Sequence, residues 1–207
     1  NASDCKESTL QNYSMSAKSV WLSMSFPASD DLLSSDQPIG IFISGRMSTK
    51  VFVNDTKVGE NGVSSLTPDE EVAGAFDWVG YVPRTALNRE SNRLTLHISS
   101  FHSQQATLYP FNWFYAGKYQ AATNKYQLHY MPTLIPLGVM LLSLIYLIRR
   151  ILLEPRSLQL VYLLILTLAA MSQLVTEISR GFYAYSYPVH SLRLNAIWFL
   201  AFIFGQT

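Results

Sequence analysis

The sequence predicts an all-β sandwich followed by an all-α transmembrane helical domain. Residues 18–99 contain short segments of alternating apolar and polar side chains with turn residues between them, which is the pattern of β-strands. Residues 132–148 carry no charge, and two further long apolar runs follow. About 20 helical residues cross the hydrocarbon layer of a bilayer. The two parts of the chain are therefore expected to fold in different surroundings, the second in the lipid bilayer.

Charge divides the chain at the same place. Residues 1–131 hold 10 Lys and Arg against 12 Asp and Glu, a net charge of −2, and residues 132–207 hold five against two, a net charge of +3. Neither part has the basic excess of a nucleic-acid binder, so nucleic acid is not an expected partner. Cys5 is the single cysteine, which excludes an intramolecular disulfide and leaves an unpaired thiol.

Three regions are predicted along the chain. Residues 1–17 form an extended tail, residues 18–125 an outer β-sandwich domain, and residues 126–207 the membrane helices. Because the chain begins at Asn1 and reaches Thr207 within an apolar run, we expect a removed signal peptide before it and more polypeptide after it.

The strand pattern starts at residues 18–26, where Val20, Leu22 and Met24 alternate with polar neighbours. Further strands are predicted at residues 39–43, 49–54, 57–59, 76–82 and 93–99. Asn54 and Asp55 predict a tight turn, because both residue types tolerate left-handed backbone angles. We expect Trp21, Leu94 and Leu96 to face the core.

Residues 109–119 are unusually aromatic, and three interpretations are open for them. Aromatic rings stack on sugars, which favours a ligand platform. Trp and Tyr also favour the level of the lipid headgroups, which favours a collar next to the membrane. The third interpretation is ordinary packing in the core.

Membrane helices are predicted at about residues 132–153, 158–180 and 191–207. Arg149, Arg150 and Arg156 cluster around the first short loop, and the positive-inside rule places that loop in the cytoplasm. Glu177 and Arg180 lie three residues apart, a spacing that allows them to pair at the membrane interface. Glu177 within a membrane helix also has a functional interpretation, but we favour the structural pair.

No catalytic motif is present in the sequence. It lacks the nucleophile elbow, the phosphate-binding loop, His-Glu-x-x-His and Cys-x-x-Cys, and His97 and His102 do not have the spacing of a metal pair. We expect no enzyme activity from this chain, no metal and no cofactor. Asp77, Trp78 and Tyr81, together with Trp113 of the aromatic stretch, are the candidates for a sugar site. The alternative for Trp78 is a core aromatic in a strand.

Several short motifs lie along the predicted sandwich. They are Trp21, Val51-Phe52-Val53-Asn54-Asp55, Lys57-Val58-Gly59, Asn61-Gly62, Tyr81-Val82-Pro83, Leu87 and Asn92-Arg93-Leu94-Thr95-Leu96. With these residues the region from about 18 to 120 resembles the jelly-roll, galactose-binding-like modules of bacterial membrane sensors. Asp55 stands where that pattern usually has glycine. The same pattern occurs in sugar-binding domains of glycoside hydrolases, so it indicates a fold better than a ligand.

The order of the parts adds to this resemblance. A jelly roll followed directly by hydrophobic helices is similar to the bacterial seven-transmembrane receptors with diverse intracellular signalling modules. The resemblance implies a receptor in the bacterial inner membrane, with residues 1–130 in the periplasm and a histidine kinase, diguanylate cyclase or other output domain beyond this chain. About three of the seven helices fit within the sequence.

Two main hypotheses for the function follow. In the first, the β-sandwich binds a glycan, another small molecule or a protein partner, and the helices relay the change inward. In the second, the chain is a non-catalytic, membrane-anchored interaction subunit that docks on a larger envelope complex. A carbohydrate-binding module of an enzyme is a third alternative, which the membrane helices disfavour.

Overall fold

The computed structural model describes residues 18–27, 36–103, 111–154 and 157–205. Within these residues the strands are β1 Ser19–Phe26, β2 Ile39–Gly45, β3 Ser48–Val53, β4 Thr56–Asn61, β5 Asp77–Val82, β6 Asn92–Ser99 and β7 Phe111–Lys118. The helices are α1 Asn124–Tyr130, α2 Leu134–Leu153, α3 Leu158–Phe182 and α4 Tyr187–Gly205. The predicted tail 1–17, Cys5 and Arg156 lie outside the described residues.

The strands form two antiparallel sheets around one core. The strand order is β1-β6-β3-β4 in one sheet and β5-β2-β7 in the other. Alternate residues of both sheets point into a shared apolar core, to which β2 contributes Ile39, Ile41 and Ile43 and β6 contributes Leu94, Leu96 and Ile98. The prediction of antiparallel β-structure followed by a helical region is confirmed.

The β1 strand corrects one expectation about the core. Val20, Leu22 and Met24 pack against the core, as their alternation predicts. Trp21 lies between two of them and is 58% exposed, so the prediction that it faces inward was wrong. Successive side chains of a strand point to opposite faces, and Trp21 must therefore face outward. Leu94 and Leu96 are 1% and 0% exposed, as expected.

The predicted tight turn joins β3 to β4. Asn54 and Asp55 have φ angles of 46° and 69°, both in the left-handed region, which suits a two-residue hairpin turn. The Asn54 side chain donates to the carbonyl of Ala86 at 2.8 Å, and Arg93 donates to the Asp55 carboxylate at 2.8 Å. The turn is thereby attached to the two neighbouring segments that support it.

The described part of the aromatic stretch, residues 111–119, forms β7 and the residue after it. β7 pairs with β2, with an irregularity between Ser44 and Gly45. Phe111 and Phe114 pack against the core, as the core-packing interpretation predicted for the stretch as a whole. Trp113 and Tyr115 flank Phe114 and lie on the opposite face from it, because strand residues alternate. Phe111 departs from this alternation because the irregularity in the pairing lies between it and Trp113.

Contacts between residues divide the chain into two compact units. The first contains the chain up to Ala122 together with Ala184–Val189, and the second contains Thr123–Tyr183 and the chain from His190 onward. Ala122 lies close to residue 125, the predicted end of the sandwich domain. The first unit also includes Ala184–Val189, which follows α3 and overlaps the first three residues of α4, and a single boundary in the sequence does not capture this segment.

Two stretches of the second unit are long and apolar enough to cross a membrane. They are Asn124–Leu153, which comprises α1 and α2, and α3, and each contains an 18-residue window with a mean hydropathy of 2.1 and 2.0, respectively. Side chains such as Leu142, Ile145 and Leu163 are exposed on these helices. A core helix of a soluble protein would bury most of its apolar residues instead. α4 overlaps residues 191–207, where a third crossing is predicted, but within the described part of the chain only Asn124–Leu153 and α3 meet this criterion of length and apolar composition.

Candidate functional site

Three of the four predicted sugar-site residues lie on the outer face of the β5-β2-β7 sheet, the face opposite the core. Asp77 and Trp113 are both in register with Ser44 of the central strand, so they lie on either side of it in one row. Tyr81 is at the other end of β5, four residues and about 13 Å from Asp77. The structure therefore brings Asp77 and Trp113 together in one row and leaves Tyr81 apart from them.

Trp78 lies on the inner face and packs against the core. A β-carbon built on Gly80 would meet the Trp78 indole at 2.3 Å, and one built on Gly59 would meet it at 3.0 Å. These two glycines therefore make room for the indole between the sheets. The core alternative for Trp78 describes its place in the structure, since the half-buried indole packs against the core from the inner face of the sheet.

The outer face of this sheet carries a row of stacked rings. Tyr115 stacks on Phe42 with ring centroids 4.5 Å apart, and Trp113 stacks on Tyr115 at 5.3 Å. Burial raises the pKa of the Tyr115 phenol, so this group stays uncharged. Trp113 is half-buried, and one face of its indole stacks on Tyr115. Less of the indole surface is therefore open to a ligand.

A second cluster, which has no signature in the sequence, surrounds the carboxylate of Glu71. Glu71 is only 5% exposed. Its oxygens accept hydrogen bonds from the Phe101 amide at 2.9 Å and the Tyr187 hydroxyl. The Ser48 hydroxyl lies 3.4 Å from the carboxylate and donates to the Val72 carbonyl at 2.8 Å. A buried carboxylate is costly unless donors of this kind surround it. We call Glu71, Ser48, Phe101 and Tyr187 the Glu71 cluster.

The segment Ala184–Val189 supplies one side of the Glu71 cluster. It runs antiparallel to residues 74–76, with Ala75 and Ser186 as a bridge pair. The amide of Phe76 donates to the carbonyl of Tyr185 at 2.9 Å, and the amide of Tyr187 donates to the carbonyl of Gly74 at 3.0 Å. These backbone bonds attach the segment to the β-sandwich unit through an isolated β-bridge, directly before and at the start of α4.

Tyr187 anchors this segment. Its side chain is completely buried, its hydroxyl donates to Glu71, and the same hydroxyl accepts from the His102 amide at 3.1 Å. Burial, and then the bond to Glu71, raise the pKa of the Tyr187 phenol far above its usual range. The phenol therefore remains a hydrogen-bond donor at every physiological pH, and the contact with Glu71 does not depend on titration of the tyrosine.

Sequence patterns gave no indication of this contact. Tyr187 lies in a Tyr-rich stretch and Glu71 in an acidic stretch, and neither pattern points to the other residue. The two residues are 116 positions apart in the chain. Periodicity reports local structure and cannot reveal a pair of this separation.

In the second unit the predicted Glu177–Arg180 pair is replaced by other partners. The Glu177 carboxylate lies 3.8 Å from the guanidinium of Arg193 on α4. Arg193 is buried and also donates to the backbone carbonyls of Thr176 and Glu177, each at 2.7 Å. A buried guanidinium needs several acceptors, and the last turns of α3 offer carbonyls for it.

Arg180 contacts α1 instead of Glu177. Its guanidinium donates to the Tyr126 hydroxyl at 2.6 Å and lies 4.1 Å from the centre of that ring. Gly181, the next residue, allows Tyr130 to approach the helix, since a β-carbon there would meet the Tyr130 ring at 3.1 Å. These contacts fix α1 against the end of α3.

The arginines used to assign topology lie where α2 ends. Arg149 is exposed, and Arg150 pairs with Glu154 at 2.8 Å, one helical turn further along the chain. An exposed ion pair of this kind contributes little to stability. The two arginines thus remain available to lipid headgroups.

Among residues 18–27, 36–103, 111–154 and 157–205, no group of three His, Cys, Asp or Glu side chains is arranged to hold a metal. The two histidines with the closest metal-like spacing have other partners. His97 is hydrogen-bonded to Ser19 and Ser64, and His102 to the backbone carbonyl of Glu71.

Comparison with known proteins does not assign the chain to a family. No family model matches it, and no curated protein matches it. A solved structure with partial similarity is a β-D-mannosidase from Dictyoglomus thermophilum, which is 16% identical over 41% of this chain. The match spans 9% of the mannosidase and has a TM-score of 0.31. Similarity at that level supports no conclusion about the function of this chain.

Proposed function

We propose that this chain is the sensing and membrane part of a bacterial signalling receptor. Its β-sandwich, which we assign to the jelly-roll class, binds a ligand outside the cytoplasm, and the helices relay the change to an output domain. The observation that carries the proposal is that Ala184–Val189 belongs to the β-sandwich unit. This segment is covalently continuous with α3 and α4, so a change in the sandwich that moves it acts directly on both helices.

The same observation supports the membrane topology of the proposal. Residues up to Ala122 and the segment Ala184–Val189 belong to one unit, so they lie on one side of the bilayer. An even number of crossings must then separate them. The stretch Asn124–Leu153 and α3 supply two. Arg149 and Arg150, with Arg156 nearby in the sequence, favour the cytoplasm for the loop between these helices. The β-sandwich then lies in the periplasm and the helices in the inner membrane.

The helical unit has room for a second packing arrangement. A groove of about 560 Å³ lies between α2 and α3, lined by Leu142, Ser143, Tyr146, Leu147, Leu163 and Thr167. Relay through helices requires two packings of similar free energy, and shifts of about 1–2 Å between helices are typical of such transitions. Ser143 and Thr167 are the small residues along this groove, and we propose that α2 and α3 shift against each other there.

The proposed relay from the sandwich to the helices can be tested with a variant that weakens the Glu71 cluster. The quantity measured is the distance between α2 and α3. Glu71→Gln places an amide N–H₂ among donors that need an acceptor, which weakens the hold on Tyr187. Spin labels at Leu152 on α2 and Tyr162 on α3, both exposed, report the distance between the helices in lipid discs. We expect the distance to shift by about 1–2 Å, or a second population to emerge, relative to the unmutated protein.

The matched control is Glu70→Gln. Glu70 is the preceding residue, is exposed, and accepts a hydrogen bond from the Ser65 hydroxyl at 2.8 Å. The Glu70→Gln substitution should leave the distribution of distances between the spin labels unchanged. If Glu71→Gln also leaves the distribution unchanged while loosening Ala184–Val189 in hydrogen exchange, the relay is refuted. The membrane-anchored interaction subunit then becomes the better explanation.

A further inference from the structure

We infer that the outer face of the β1-β6-β3-β4 sheet carries a saccharide-binding site centred on Trp21. As the ligand of a receptor, the saccharide rests on the function proposed above, but the binding site itself can be tested without any relay. The sequence analysis placed Trp21 in the core, and the structure exposes it on the opposite face from the core. None of the four residues first predicted for a sugar site lies on this sheet.

Trp21 forms a flat platform. Its indole stacks on the imidazole of His97, with centroids 4.6 Å apart and an angle of 19° between the planes. Phe52 borders it with a centroid distance of 6.1 Å. The residue nevertheless remains 58% exposed, so the indole face opposite His97 is open to solvent. An open, electron-rich ring face attracts the slightly positive C–H groups on one side of a sugar ring.

His97 holds the platform in place. One ring nitrogen lies 3.0 Å from the Ser19 hydroxyl and the other lies 2.9 Å from the Ser64 hydroxyl. Burial, with a smaller effect of Lys50, lowers the pKa of the imidazole, so it is neutral at physiological pH. A neutral imidazole has one donor and one acceptor, and two hydroxyls satisfy both. Because the imidazole under Trp21 is already held by two hydroxyls, ligand binding costs little conformational entropy of the platform side chains.

Polar groups surround the platform on the same face. Lys50 is in register with His97 on the neighbouring strand, and its ammonium group lies 3.2 Å from the Glu60 carboxylate. Ser23 and Thr95 are opposite each other, two residues along the strands from Trp21 and His97. Hydroxyl, ammonium and carboxylate groups are the partners that sugar hydroxyls bind.

This combination favours a sugar over a protein partner. Protein-binding surfaces are built on contiguous apolar patches with several large anchors. Here Trp21 is the exposed ring and half-buried Phe52 borders it, with Ser23, Thr95 and Lys50 around them, and Ser25 further along β1 is also exposed. A saccharide has the matching surface, with an apolar ring face and hydroxyls around its edge.

The test uses the full chain in lipid discs and three neutral probes: cellotetraose, chitotetraose and maltotetraose. We expect at least one to bind in isothermal titration calorimetry. Trp21→Ala should weaken that binding by about tenfold or more, since the ring contributes the stacking surface. Trp21→Phe keeps a smaller ring and should show an intermediate affinity. Trp198→Ala removes a tryptophan of α4 that is 74% exposed, more than Trp21, and should leave the affinity unchanged.

Fluorine NMR of protein labelled with 5-fluorotryptophan gives a second measurement that needs no stable Trp21→Ala variant. The chain has four tryptophans, and the resonance absent from Trp21→Phe identifies Trp21. We expect the sugar to shift this resonance and leave that of Trp198 in place. Absence of binding by all three probes, or binding that leaves the Trp21 resonance and the affinity of Trp21→Ala unchanged, overturns the site. Neither result depends on the spin-label distances, so failure of the site and failure of the relay are distinguishable.

Discussion

Replacing Tyr187 by alanine is expected to lower the free energy of unfolding of the β-sandwich by about 3–5 kcal/mol. Tyr187 follows α3 in the chain, yet its side chain is completely buried within the β-sandwich unit. Its removal leaves a cavity the size of an aromatic ring and takes one donor from the Glu71 carboxylate. Both losses add to the cost, because a buried carboxylate with an unfilled acceptor position is itself unfavourable.

Urea unfolding followed by pulse proteolysis measures this loss in the full chain in lipid discs. Tyr187→Phe keeps the ring and removes only the hydroxyl, so it should cost about 1–3 kcal/mol. Tyr183→Ala is the matched control, because Tyr183 lies four residues earlier and is 71% exposed. A loss for Tyr187→Ala no larger than that for Tyr183→Ala would mean that the segment does not contribute to the sandwich.

Leu96→Ala is expected to cost about 2–5 kcal/mol. Leu96 is in the middle of β6, the strand between β1 and β3, and its side chain is fully buried in the core shared by both sheets. A domain of this size has a net stability of about 5–15 kcal/mol, so the loss is a large fraction of the total. The cost comes from lost burial and from the cavity left between the sheets.

The same unfolding measurement applies to Leu96, with Leu66→Ala as the control. Leu66 is an exposed leucine in a loop of the same unit, and its truncation should change the stability by less than about 0.5 kcal/mol. If Leu96→Ala lowers the free energy of unfolding by less than about 1 kcal/mol, the two sheets do not pack on a shared core as described.

Local sequence patterns predicted much of the sandwich. The alternation in β1, β3 and β6 and the Asn54-Asp55 turn depend on neighbouring residues only, so they could be found without the structure. Trp21 was misplaced because its hydrophobicity suggested the core, while the alternation of its neighbours already placed it outside. For an aromatic residue in a strand, the period of two is the stronger guide.

The contacts of Tyr187 and Arg193 were harder to predict, because they join parts of the chain that are separate in sequence. Tyr187 binds Glu71 across 116 residues, and Arg193 reaches the backbone of Thr176 and Glu177 on another helix. The i,i+3 spacing of Glu177 and Arg180 made a local pair possible, but it did not account for a buried Arg193 that requires acceptors. A buried charged side chain must find hydrogen-bond partners among the groups around it, and those groups are known only once the fold is known.

The most direct test of the central claim is a disulfide between Ala75→Cys and Ser186→Cys in a Cys5→Ser background. The flanking backbone bonds make Ala75 and Ser186 a non-hydrogen-bonded antiparallel pair, for which α-carbons are about 4.5 Å apart. That separation suits a disulfide. If Ala184–Val189 is part of the β-sandwich, mild oxidation of the full chain in lipid discs will cross-link this pair nearly completely. The pair Ala75→Cys and Tyr183→Cys will remain reduced. Two freely maleimide-reactive thiols at 75 and 186 in folded protein would contradict the account.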